Sequence, residues 1–251
     1  MKFRFAALSI AAIVVVAITG FHSTQSQTRK AVADSTLSDS ERDLFSEINL
    51  ARAHPLTYAS YLEKLRPMFD GKRYKESNGN SFTTEEGWSA VDEAIKFLRA
   101  AKPSGSLAIS RGLCLAAVAH VKDQSATGAT GHKGSDSTFL EQRLKPYGSW
   151  DGGIGENITY GNESARERLL TWLIDDAFPS RGHRRRLMSE DYRVAGISCG
   201  PHPEFGAMCV LTLAGGFTDL QPATSTGTAA KPATTKTTSG NTNSRIKSRR
   251  M

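Results

Sequence analysis

"RVAGISCGPHPEFGAMCVLTLAGGF", residues 193–217, decides the fold class. Two apolar runs, "RVAGISC" and "AMCVLTLAGGF", flank the Gly/Pro-rich "GPHPEFG". Such a pattern reads as a β-hairpin. Cys199 and Cys209 fall one on each strand, so they can bridge the hairpin in an oxidising compartment. Just upstream, "GIGENITYG" (153–161) alternates apolar and polar residues between glycines, which predicts a third strand.

Most of what precedes these strands has helical spacing. "SDSERDLFSEINLARAHP" predicts a helix capped by Ser38 or Asp39, with Leu44, Ile48 and Ala51 on one face and Pro55 ending it. "LTYASYLEKL" predicts a shorter one. Residues 70–82, "DGKRYKESNGNSF", read as a loop. "TTEEGWSAVDEAIKFLRAA" and the Ala-rich "SRGLCLAAVAHVKDQSATG" predict two more helices, and residues 137–147 a further one. "NESARERLLTWLIDD" predicts a helix with Leu169, Leu170, Trp172 and Leu173 facing inward. Helices first and strands late make an α+β protein whose mainly antiparallel sheet is covered by helices.

Composition sets the compartment. Lys2 and Arg4 precede an apolar run, Phe5 to Ile18, which reads as a secretory signal over residues 1–20. That run is short for a membrane span. The cleavage point is open, so an uncleaved anchor is compatible with the sequence. Residues 21–36 read as a spacer and 37–217 as the folded domain. Residues 218–251, rich in Ser, Thr and Lys, read as a disordered basic tail. The net charge of +7 sits at the ends: +4 in residues 1–30 and +5 in residues 218–251, leaving −2 on residues 31–217. A nucleic-acid binder carries its positive charge on the fold, so nucleic acid is excluded as a partner. Membrane contact is expected only through the uncleaved signal anchor or the basic tail. The protein is thus expected to be secreted or extracytoplasmic, meeting an extracellular ligand or protein. Cys114 is left over and reads as a buried free thiol.

The candidates for chemistry are few. On a strand from Ile154 to Tyr160, Glu156 shares a face with Ile154 and Ile158. A carboxylate there needs partners or a wet cleft. His132 lies in the Gly-rich "TGATGHKGSDS" and His183 follows Gly182 in "DDAFPSRGHRRRLM". With Asp175 or Asp176 they form a plausible set of two imidazoles and two carboxylates. Such a set can hold a divalent metal, zinc being favoured by imidazole. It can equally hold none, the carboxylates simply pairing with the imidazoles. His22, His54, His120 and His202 read as ordinary, His120 as a packed and satisfied core histidine. Ser135 and Ser137 read as turn and cap residues rather than nucleophiles. Arg184 is expected to brace the turn against an acid such as Asp176, with Arg185 and Arg186 solvated. The chain has no His-Glu-x-x-His, no Gly-x-Ser-x-Gly and no phosphate-binding loop.

The order "GHKGSD", "GENITYG", Trp172, "GHRRRLM", "VAGISCG" and "VLTLAGGF" resembles the CAP superfamily of cysteine-rich secretory, antigen-5 and pathogenesis-related-1 proteins, of the bacterial SCP-domain type. The resemblance covers roughly residues 40–217. It implies a three-layer α-β-α sandwich with a central cleft lined by His132, Glu156, Asp175 and His183. It also implies zinc or another divalent cation there, with His132, His183 and Glu156 as ligands. The family's second acid is usually Glu; here that position is Asp175, one methylene shorter, with Asp176 the alternative. The extra cysteines of animal members are missing. Three functions follow as expectations. The first is a cleft that binds metal, small ligand or partner without turnover. The second is an extracellular protease- or esterase-like hydrolase using the His/Glu cleft. The third is sterol or lipid binding.

Overall fold

The computed structural model describes residues 37–76 and 79–220. The expected signal, spacer and most of the tail lie outside the described residues. Helix α1 (Asp39–Ala53) starts at Ser38, whose hydroxyl and Glu41 form a reciprocal capping box. Pro55 ends α1 and opens α2 (Pro55–Glu63), where its missing N–H costs nothing. A short 3₁₀ turn (Arg66–Met68) follows.

The stretch expected to be a loop is instead a small antiparallel meander. Strands β1 (Phe69–Asp70), β2 (Arg73–Lys75) and β3 (Ser81–Thr83) pair in that order. Strands of two or three residues show no alternation, so nothing in the sequence announces them. The rings of Phe69, Tyr74, Phe82 and Trp88, in edge-on or tilted contact, hold the meander together. Helix α3 (Trp88–Ala100) accordingly begins later than expected. The N–H groups of Glu85 and Glu86, drafted into that helix by pattern, bond to the Asp176 carboxylate instead.

The main sheet has the order β4-β6-β7-β5, from β4 (Ala108–Ile109), β5 (Gly148–Tyr160), β6 (Val194–His202) and β7 (Gly206–Asp219). Only the β4–β6 pair is parallel; β6–β7 and β5–β7 are antiparallel. The fold is α+β, as expected. Strand β5 begins earlier than the "GIGENITYG" pattern, because its first residues are glycine and polar apart from Trp150, and the pairing is irregular between Asp151 and Ile154. The hairpin strands run further than expected, leaving Pro203–Phe205 as the turn. Cys199 and Cys209 are direct cross-strand partners and form the disulfide. A loop this short contributes about 2–3 kcal/mol.

Helices α4 (Arg111–Thr127) and α5 (Leu140–Leu144) cover one face of the sheet. Helices α1, α2, α3, α6 (Ala165–Ile174) and α7 (Gly182–Met188) build the other layer. Strand β7 shows why both faces are dry. Cys209, Leu211 and Leu213 join the core with α1 and α6, while Met208, Val210 and Ala214 pack on the α4 side. The close fit of α4 depends on Gly196. A Cβ there would lie 2.0 Å from the Leu113 carbonyl carbon and 2.1 Å from the Cys114 nitrogen. Leu169, Trp172 and Leu173 of α6 are buried and Leu170 half-buried. Cys114 is half-buried; burial pushes its thiol up to about 11, so it stays unreactive at neutral pH.

Candidate functional site

The first histidine–carboxylate pair crosses from loop to strand. Glu156 lies on the β5 face that also carries Ile154 and Ile158, toward α4 and α5, and is 4% exposed. Both its oxygens are used. Oε1 accepts from His132 Nδ1 at 2.9 Å and Oε2 from Arg143 Nη2 at 2.6 Å. Burial alone pushes the Glu156 carboxyl up, but the His132 bond and the Arg143 charge outweigh it and hold it below the usual carboxylate range. The buried Arg143, from α5, also donates to the carbonyl of His132 and so fixes backbone and side chain together. The His132 ring itself is about half exposed.

The second pair is made by a turn. Helix α6 ends at Ile174, and Asp175 takes the left-handed conformation that closes it. Asp175 is 2% exposed. Its Oδ1 accepts from His183 Nδ1 at 2.6 Å, and its Oδ2 from the backbone N–H groups of His183 and Arg184 at 2.8 and 3.2 Å. The Phe178 ring stands edge-on to the imidazole at 5.2 Å. Asp175, Ala177 and Arg181 all have positive φ, an unusual density of strained residues for seven positions.

Arginines support that turn, though not as the sequence suggested. Arg184 is buried, and its partners are Glu93 and the carbonyls of Leu173 and Ile174 at the end of α6. Asp176 turns away, to the amides before α3. The two-pronged bracing comes from Arg181, which grips Glu86 and Glu93. Arg186, expected in solvent, is half-buried over Gly155 of β5. Arg52 is the least expected member. It is 1% exposed and donates to the carbonyls of Gly105, Leu187, Ser189 and Tyr192, so it fixes the end of α7. No single-sequence signal marks Arg52 or Arg143 as buried, because Lys and Arg normally stay exposed.

Strand β5 connects the pairs. Glu156 holds His132, and the next residue, Asn157, donates to the carbonyl of His183 at 3.2 Å. The structure does not bring His132, Glu156, Asp175 and His183 into one shared ligand shell. Among the described residues no group of three or more His, Cys, Asp or Glu can hold a metal ion. Each carboxylate is spent on its own imidazole and on Arg143 or backbone amides. What remains for a ligand is Nε2 of each imidazole, which has no protein partner among the described residues. Metal-ligating histidines commonly have their other nitrogen held by a carboxylate in this manner.

The other candidates have structural work. Ser135 is bonded through its amide and hydroxyl to Asp123, and Ser137 sits in a turn at positive φ. His202, expected to be ordinary, is buried; its Nε2 reaches the Ala129 carbonyl and its Nδ1 accepts from the amides of the hairpin turn. His120 is buried but only half satisfied. An open, mostly apolar groove of about 480 Å³ lies elsewhere, between α4 and β6, lined by Val118, Val121, Lys122, Ser125 and Pro201 among others. It holds none of the paired residues.

The chain is similar to several known proteins. An outer surface protein from Borrelia burgdorferi matches with 20% identity and a TM-score of 0.39, over 51% of this chain and 87% of that one. An extracellular protein containing an SCP domain from Bacillus anthracis matches with 18% identity and a TM-score of 0.37, over 61% of this chain and 43% of that one. No curated protein matches. The family model described as the cysteine-rich secretory protein family, CAP, matches residues 49–213, which include both histidine–carboxylate pairs, the connecting strand and the disulfide. The chain belongs to the CAP family of cysteine-rich secretory proteins.

Proposed function

We propose that this protein is an extracellular CAP-domain binding module whose cleft presents two carboxylate-oriented imidazoles to a divalent cation, zinc being favoured. One observation carries the reading. His132 and His183 each commit Nδ1 to a buried carboxylate and keep Nε2 without a protein partner among the described residues. Neutral imidazole nitrogens suit zinc, and a carboxylate behind the ring fixes the tautomer that ligation needs. His132 and His183 would hold the ion, with Glu156 and Asp175 behind them, and solvent or a partner's group would complete its shell. The bound ion would supply a fixed positive charge at the cleft. The apolar run near the N-terminus and the cross-strand disulfide support an extracytoplasmic setting.

Calorimetric titration of the full chain with zinc tests the proposal, with a His132→Ala/His183→Ala double variant as control. Heat in the parent and none in the double variant is expected. No heat in the parent removes the metal reading.

A second reading draws on the same pairs. An imidazole oriented by a carboxylate is the base–orienter unit of many hydrolases. Under this reading turnover of a peptide or ester depends on Glu156. Unchanged turnover in Glu156→Gln, on any substrate found active, removes it.

A further inference from the structure

Behind His132 lies a buried polar ring that packing alone does not explain. It closes on the backbone of the preceding residue, Gly131. The Gly131 N–H donates to Tyr160 Oη at 2.7 Å. The Tyr160 hydroxyl then donates to Gln124 Oε1 at 2.9 Å, and Gln124 Nε2 donates to the Gly131 carbonyl at 2.6 Å. His120 Nε2 reaches the same carbonyl at 2.9 Å. Every direction in this ring is forced. An amide N–H only donates, so Tyr160 must accept there and spend its own proton on Gln124. That orients the Gln124 amide. A carbonyl only accepts, so His120 carries its proton on Nε2. The 3.2 Å approach of Gln124 Nε2 to His120 Nε2 is two donors converging on one oxygen.

The arrangement has a cost. His120 is 0% exposed, and its Nδ1 has no hydrogen-bond partner among the described residues. A bare buried acceptor is unfavourable, and an apolar side chain would avoid it. Burial also pushes the His120 imidazole down and the Tyr160 hydroxyl up, so both stay neutral and keep these roles. Gly131 needs the support. Its φ of +89° lies in the left-handed half of the map, where the backbone has no local reason to settle on one geometry. Arg143 on the far side fixes the His132 carbonyl, and His202 fixes Ala129. The ring fills the gap between these two.

We propose that His120, Gln124 and Tyr160 are positioning residues for the His132 imidazole, acting through the clamped backbone of Gly131. The ring sets where His132 leaves the loop, and hence whether its Nδ1 meets Glu156. The consequence for ligand affinity rests on the binding reading given above; the consequence for the imidazole does not.

The test reads the tautomer of each histidine by long-range ¹H–¹⁵N spectra of the labelled full chain. In the parent, His132 and His183 should both carry the proton on Nδ1, facing their carboxylates. Tyr160→Phe removes one oxygen and leaves both the Gly131 N–H and Gln124 Oε1 without their Tyr160 partner. In Tyr160→Phe and in Gln124→Leu, His132 should move toward the Nε2–H form that free imidazole prefers, while His183 stays as it was. His120→Leu should do the same, and His120→Gln, which restores a donor at similar reach, should rescue it. Zinc alone should bind Tyr160→Phe about tenfold more weakly than the parent, the equivalent of one to two lost hydrogen bonds. Failure of the parent to bind zinc would remove the binding reading and leave the tautomer result standing. The proposal is overturned if His132 keeps its Nδ1 proton in these variants, or if His183 shifts with it.

Discussion

The two histidine–carboxylate pairs look alike and are built differently. His183 and Asp175 are eight residues apart, joined by one turn and the first residues of α7. His132 and Glu156 are 24 apart and come from a loop and an edge strand. Their carboxylates are neutralised by different means. Glu156 faces a buried guanidinium, that of Arg143, whereas Asp175 accepts backbone amides of α7. In the turn, the arginines stand one step back and pull on Glu86 and Glu93. The same small unit can therefore rest on a buried ion pair or on the main chain. The first choice is more costly to disturb, because an unpaired buried charge is worse than an unpaired amide.

That contrast yields a ranking. Glu156→Gln should destabilise most, by roughly 3–5 kcal/mol in chemical denaturation, since it strands Arg143 in a buried site. A loss below about 1 kcal/mol would mean that Arg143 finds other support. Asp175→Asn should cost less, about 1–2 kcal/mol. Asn tolerates the left-handed backbone and keeps an oxygen for the α7 amides. Equal losses for the two variants would erase the distinction. The strain in the turn has the opposite sign. Ala177→Gly should gain about 0.5–1 kcal/mol by relieving a positive φ, read as a higher denaturation midpoint. No gain would show that the conformation is held at no cost.

The smallest expected effect is in acid. The Arg181 bonds hold both Glu86 and Glu93 below the usual carboxylate range. A depressed folded value means that their stabilisation is complete above the ordinary glutamate value and fades as pH falls through the folded ones. Amide exchange at His183 and Arg184 should therefore quicken, relative to that at Gly131, as the pH drops below about 4. Exchange that quickens equally at both places would deny the turn its separate support.

Legibility followed the same division. The hairpin, the α1 cap and stripe, the Ala-rich helix and the disulfide were readable because each rests on local spacing. The candidate histidines and acids stood out by type and by glycine neighbours, and the choice between Asp175 and Asp176 came down to which carboxylate touches His183. The meander around Phe69, Tyr74 and Phe82 was not readable, since its strands are too short to show a period. Arg52, Arg143 and Arg181 were not readable either. Their partners are mostly carbonyls and carboxylates distant in sequence, and nothing local distinguishes a buried arginine from a solvated one.

By itself, then, the sequence determined the α+β class, the hairpin with its cysteine bridge, and the short list of imidazoles and carboxylates. These follow from period, turn chemistry and residue type, all local. Only the tertiary structure decided how the list is used. It paired each carboxylate with one imidazole, spent the remaining oxygens on Arg143 and the α7 amides, and left the Nε2 atoms without a protein partner among the described residues. The physical reason is that a buried carboxylate must be satisfied on every oxygen, and which donors reach it is a matter of packing between distant segments.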